Sequence, residues 1–152
     1  MTAVQDGKKP ETLMIVEDDA LVAIVLRDEL QDAGYNLLDL TDRQDEALQV
    51  AKADKPHLAL VNIALAGGDD GIELSEHLKA MGIPVLLISG QASRASSART
   101  VAIGSMPKPY NAAEMVVAVA YLLARLNGDG SLPRPAQLEV FDDSSFDVVP
   151  AA

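Results

Sequence analysis

The sequence predicts a single α/β domain in which a parallel β-sheet is covered by helices on both faces, and three observations carry this reading. Short aliphatic runs, LMIV, LALV and VLLI, recur along the chain, and each is followed by a stretch of helix-forming residues. Such unbroken runs suit strands buried on both sides. The segments between them are long enough for the crossover helices that parallel strands require. The length of 152 residues fits one core of common size, roughly 100–150 residues, with short ends to spare.

Taken in order, residues 1–11 form a polar, flexible leader to a domain over 12–126. Leu13 to Val16 is the first strand, and Glu17, Asp18 and Asp19 turn it into a helix over 20–32 that Gly34 closes. Tyr35 to Leu40 is a weaker strand, interrupted by Asn36 and Asp39. Thr41 or Asp42 caps a helix to about Ala53, and Lys55-Pro56 ends it. Leu58 to Val61 is the third strand, Gly71 to Met81 a helix closed by Gly82, and Val85 to Ile88 the fourth strand. QASRASSART, residues 91–100, has almost no apolar stripe, so its helix is marginal and mobile. Val101 to Met106 is a poorer fifth strand. Asn111 caps a last helix to Leu126, which Asn127-Gly128-Asp129-Gly130 stops. The polar breaks in strands two and five place them at the edges. Strands one, three and four then lie inside, which is the flavodoxin-like (βα)5 three-layer sandwich with strand order 2-1-3-4-5.

A formal charge of −11 gives no basic face to neutralise phosphates, so nucleic acid is excluded as an unaided partner. The absence of cysteine excludes disulfides and thiolate metal centres. No apolar run approaches the ~18 residues of a membrane span, and MTAVQDGKKPET lacks the apolar segment of a signal peptide. A soluble, cytoplasmic protein with no membrane partner is expected. Residues 127–152, with five acidic residues against one basic, form an acidic, mostly disordered tail in which LEVF and FDVV are apolar islets. No DNA-binding or enzymatic output domain fits there.

Sites in open parallel sheets form beyond the carboxyl ends of the strands, where the strand order switches direction. Glu17 and Asp18 follow strand one, Asn62 ends strand three, Ser89 follows strand four, and Lys108 lies in MPKPY after strand five. Each has a plainer explanation alone. The acidic run favours a helix N-terminus, Ser89-Gly90 makes an ordinary turn, and lysines are mostly solvated. His57 and His77 have no ligand partner at helical spacing, and Asp69 and Asp70 read as loop solubility.

Together, LMIVEDD, LVNIAL, LLISG and PKPY, in this order and spread over residues 12–126, resemble the motifs of the receiver domain of two-component response regulators. The resemblance implies Mg²⁺ held directly by Asp18, through water by Glu17, and by the backbone carbonyl of Ala64. It places the phosphoacceptor position on Asn62, the switch hydroxyl on Ser89, the phosphate-pairing lysine on Lys108 with a cis bond to Pro109, and the aromatic switch position on Ser105. Ala66 stands where the family's loop proline is common, and Asn62 to Gly71 spans one residue more than is usual.

An aspartate is needed at the acceptor position because a carboxylate attacks the phosphoryl donor, while Mg²⁺ and a lysine neutralise the transferring oxygens. An amide cannot make the acyl phosphate and is a neutral ligand. Mg²⁺ binding is therefore weak or absent, no enzymatic activity is expected, and Lys108 is expected to bond the Asn62 side-chain oxygen. Fully ionised, Glu17, Asp18 and Lys108 sum to −1.

The chain accordingly reads as a stand-alone receiver that acts by protein binding and is not phosphorylatable as written. The alternative is an ordinary phosphoacceptor receiver carrying an introduced Asp-to-Asn change at position 62. An unrelated binding protein or phosphatase of the same fold is the third reading. The implied partner is a histidine kinase or phosphotransferase, docking on the first helix through Leu21 and Ile24. In the last helix Val116, Ala120 and Leu123 are expected to face the sheet, leaving Met115, Val119, Leu122 and Leu126 as a partner face, with a homodimer one use of it.

Overall fold

A computed structural model describes residues 10–90 and 92–141 of the chain. The leader up to residue 9 and the tail from 142, FDVV included, lie outside the described residues. The sheet has six strands in the order β2-β1-β3-β4-β5-β6. Five are parallel: β1 (Thr12–Val16), β2 (Asn36–Leu37), β3 (Leu58–Asn62), β4 (Val85–Ser89) and β5 (Gly104–Pro107). The sixth, β6 (Glu139–Val140), runs antiparallel to β5.

Alternation along the central strands builds two cores. Leu13, Ile15, Leu58, Leu60, Leu86 and Ile88 point to the layer of α1 (Ala20–Asp32) and α5 (Ala112–Leu126). Met14, Val16, Ala59, Val61, Val85 and Leu87 point to the layer of α2 (Gln44–Ala53), α3 (Gly71–Ala80) and α4 (Ala92–Ser97). The expected core of fold and strand order is thus present, with β6 added beyond the strand read as an edge.

Helix starts follow local chemistry. Asp19 caps α1 by accepting from the backbone N–H groups of Leu21 and Val22. Asn111 and Glu114 form a reciprocal capping box on α5. Replacing Asn111 with Ala is expected to lower stability by about 1 kcal/mol, measured as a shift in the urea midpoint at constant slope. At α2 neither Thr41 nor Asp42 is the cap. Arg43 occupies that position without a side-chain bond, and Asp69, from the loop after β3, accepts from the Gln44 N–H at 2.8 Å.

The last helix corrects an expectation. Met115, Val119 and Leu122, read as an outward partner face, are at most 1% exposed, because α5 is covered by α1 as well as by the sheet. Val117 is the large apolar side chain that α5 exposes. The outward apolar surface lies instead on α1, where Leu21 is 75% and Val25 55% exposed, with Ile24 and Val22 beside them.

Candidate functional site

The strand order reverses between β1 and β3, so the carboxyl ends of these neighbours open a crevice. Glu17 and Asp18 leave β1 into it, and Asn62 is the last residue of β3. Glu17 and Asn62 are buried, whereas Asp18 is exposed on the rim. The backbone N–H of Glu17 donates to the Thr41 carbonyl at 3.0 Å, which fixes the acidic turn from the other side.

The side-chain amide of Asn62 is the centre of the site. Its nitrogen lies 3.1 Å from Glu17 Oε2, 2.9 Å from Asp18 Oδ1 and 2.9 Å from the Ala64 carbonyl oxygen. The Ala64 carbonyl can only accept, so the NH₂ end of the amide must face inward. The expected bond from Lys108 to the Asn62 side-chain oxygen is not formed. The amide's two protons are instead shared among the three oxygens that the resemblance assigns to a metal.

Burial pushes the Glu17 carboxyl up to about 7, helped by its hydrogen bond to Asp18, and the Lys108 ammonium acts in the opposite sense. Asp18 is held below its ordinary value, chiefly by that same hydrogen bond from Glu17. Glu17 Oε2 accepts from the Asp19 N–H at 3.1 Å as well as from Asn62, and Glu17 Oε1 is buried without a partner. The raised Glu17 carboxyl makes the pair less negative near neutral pH than full ionisation would.

Glu17 keeps its proton in the folded chain at pH values where the unfolded chain has lost it. Its contribution to stability therefore falls as pH rises from 4.5 to about 7. Stability measured against pH is expected to lose that slope in Glu17→Gln.

Mg²⁺ takes oxygen ligands and usually one or two carboxylates. The donor types here are suitable, but their point of convergence is filled by the Asn62 nitrogen. Among the described residues, no group of three or more Asp, Glu, His or Cys side chains is placed to hold a metal. As arranged, the residues do not fit the ion.

Ser89 is buried at the end of β4, and its carbonyl accepts from the Lys108 N–H at 2.9 Å. Lys108 itself is exposed, and its bond to Pro109 is cis, as the resemblance implies. Ser105 is buried on β5, where it pairs with Glu139 of β6. Lys108, Pro109 and Tyr110 face Leu21, Val22 and Val25 of α1 across a groove of about 800 Å³ that ends at Glu17 and Asp18.

Several contributors were not singled out from sequence. Gly71 is one: a Cβ there would lie 2.1 Å from the Asn62 carbonyl oxygen, so the start of α3 presses against the end of β3 as only glycine allows. Its position ten residues after strand three in a GGDDG stretch was the available signal. Asp69 and Asp70, read as loop solubility, are the caps of α2 and α3, and Asp70 also pairs with Arg94 at 2.8 Å.

An open parallel sheet with an acidic pair, a strand-end amide, a hydroxyl and a lysine around one crevice is the frame of a phosphoryl-signalling domain. The chain belongs to the response regulator receiver domain family, whose model matches residues 13–120. It is therefore a receiver domain of two-component signalling. It is 30% identical over 115 residues to the uncharacterized transcriptional regulatory protein YbdJ of Bacillus subtilis, covering 73% of this chain and 50% of that protein. To the phyllosphere-induced regulator PhyR of Methylorubrum extorquens it is 31% identical over 84 residues, 54% of this chain and 32% of that one. The chain thus spans half or less of the length of these two relatives. Among solved structures, a protein of Chloroflexus aurantiacus assigned as a response regulator is similar at a TM-score of 0.68 and 31% identity, over 77% of this chain and all of that one. Among the described residues, no helix is long and apolar enough to cross a membrane.

Proposed function

We propose that this receiver works without an acyl phosphate, as a protein-binding module whose pocket is closed by its own amide. The observation that supports this most is the seat of Asn62: it ends β3 and donates to Glu17, Asp18 and the Ala64 carbonyl. An amide there is no nucleophile, and Mg²⁺ binds weakly or not at all while the NH₂ group fills the centre. Incubation with acetyl phosphate and Mg²⁺ is expected to leave the intact mass unchanged. A mass gain of one phosphoryl group on the unmodified chain would overturn the reading.

The partner surface in this reading is the exposed face of α1 together with Pro109 and Tyr110 across the groove. Leu21, Ile24 and Val25 form an apolar stripe of the kind that packs against a partner helix, and its end at the pocket suits a histidine kinase or phosphotransferase. Leu21→Glu is expected to reduce binding to such a partner by at least about tenfold with little change in melting temperature, because the side chain touches solvent. Titration calorimetry and a melting curve check both halves.

A second reading is favoured by the retention of Glu17, Asp18, Ser89 and Lys108 around the crevice: a phosphoacceptor receiver in which Asp has been exchanged for Asn62. The codon at position 62 of the gene separates the two.

A further inference from the structure

The chain after α5 returns to the sheet. Residues 127–134, 136 and 137 are exposed, after which Leu138 and Phe141 are buried to 4% and 1% exposure. Leu138 enters the core layer of α1 and α5, and Phe141 enters the opposite layer beside Ala95, Ala98 and Ala102. Between them Glu139 and Val140 pair with Ser105 and Gly104, and the Phe141 N–H donates to the Ile103 carbonyl at 2.9 Å.

This is a shaped receptor for a strand. At Gly104 a Cβ would lie 2.7 Å from the Glu139 carbonyl oxygen, so the two backbones approach as closely as glycine permits. Arg99 reads the side chains on one face: its guanidinium stands 5.3 Å from the Phe141 ring centroid, and its Nη1 lies 3.8 Å from Glu139 Oε2. Yet the strand that fills the receptor is two residues long. The ladder is held by a tether that carries Gly128, Gly130, Pro133 and Pro135, and ladders so short are the ones that open ahead of a central sheet.

We propose that the edge of β5 with Arg99 is a strand-docking site for an extended peptide in which an acidic residue precedes an aromatic one by two places, and that Leu138–Phe141 occupies it in cis as a releasable strap. Release bares the backbone of β5 beside Ser105, and a partner segment of the same pattern pairs there by adding a strand. The site lies on the far edge of the sheet from α1 and does not depend on what Asn62 does.

Two measurements on the full chain test this. In native-state hydrogen exchange of the unmodified chain, the Phe141 amide is expected to exchange at least tenfold faster than the β3 amides. Exchange at the same rate as β3 makes the strap part of the cooperative core and overturns the proposal. In the second, a fluorescent peptide of the sequence AQLEVF is titrated into the chain carrying Leu138→Ser and Phe141→Ser. Binding is expected at least tenfold tighter than to the unmodified chain, and weaker again for the peptide carrying the equivalent of Glu139→Lys. A variant that keeps its β3 protection and does not bind the peptide, or equal binding by both chains, overturns it. Should the variant fail to fold, the exchange measurement alone decides.

Discussion

Asn62→Asp is expected to turn a chain indifferent to magnesium into one that depends on it. In the unmodified protein the amide nitrogen lies 2.9–3.1 Å from Glu17 Oε2, Asp18 Oδ1 and the Ala64 carbonyl, at the point where a cation would sit. An aspartate removes both protons and brings a third carboxyl to the same point. Without metal, the loss of a donor to the buried Glu17 carboxyl, with Asp18 and Ala64 open to solvent, costs about 1 kcal/mol. With Mg²⁺ at a hundredfold excess over its dissociation constant, the variant recovers about 2.7 kcal/mol. Melting in EDTA and in millimolar Mg²⁺ reads both numbers. The same variant is expected to gain one phosphoryl group from acetyl phosphate. Equal Mg²⁺ responses from the two proteins would show that the amide does not hold the metal's place.

Gly71→Ala is expected to lower stability by about 3 kcal/mol. The new methyl group would meet the Asn62 carbonyl oxygen at 2.1 Å and the Ile63 Cα at 2.8 Å, both on a buried strand end that cannot swing aside. Either α3 retreats, breaking the 2.7 Å bond from the Gly71 N–H to the Ile63 carbonyl, or the end of β3 moves and carries Asn62 out of its three hydrogen bonds. Urea unfolding gives the size of the loss, and the Asn62 side-chain amide resonances report which element yields. Gly90→Ala, where a Cβ meets nothing within 4 Å, is the control and is expected to stay within about 0.5 kcal/mol.

Most of the fold was legible because the physics is local. Aliphatic runs bounded by turn residues mark β1, β3 and β4, and Asn111 with Glu114 marks the start of α5 on any reading of caps. Strand-end positions were legible for the same reason: Glu17, Asp18, Asn62, Ser89 and Lys108 all lie at or just after the carboxyl ends of β1, β3, β4 and β5, and the structure brings Glu17, Asp18 and Asn62 into contact. What sequence did not disclose depends on contacts between distant segments. The cap of α2 comes from Asp69, twenty-five positions away. The face of α5 that looked spare is taken by α1, since a helix crossed by two partners buries more than one stripe. The direction of the Asn62 amide follows from the three acceptors around it, which no local pattern announces. LEVF read as an islet in a loose tail because two residues of strand leave almost no periodic signal, although its Leu138 and Phe141 complete the two cores.

Asp69 and Asp70 carry a mechanical consequence. Adjacent in the chain, they fasten the beginnings of α2 and α3 and, through Arg94, reach α4, while the residue before them in space, Ala64, accepts from Asn62. Three helices on one side of the sheet are therefore fastened to two adjacent carboxylates of the loop that follows β3. The starts of α2 and α3 and the Arg94 side chain of α4 thus share one loop as their anchor, and a substitution in that loop touches all three.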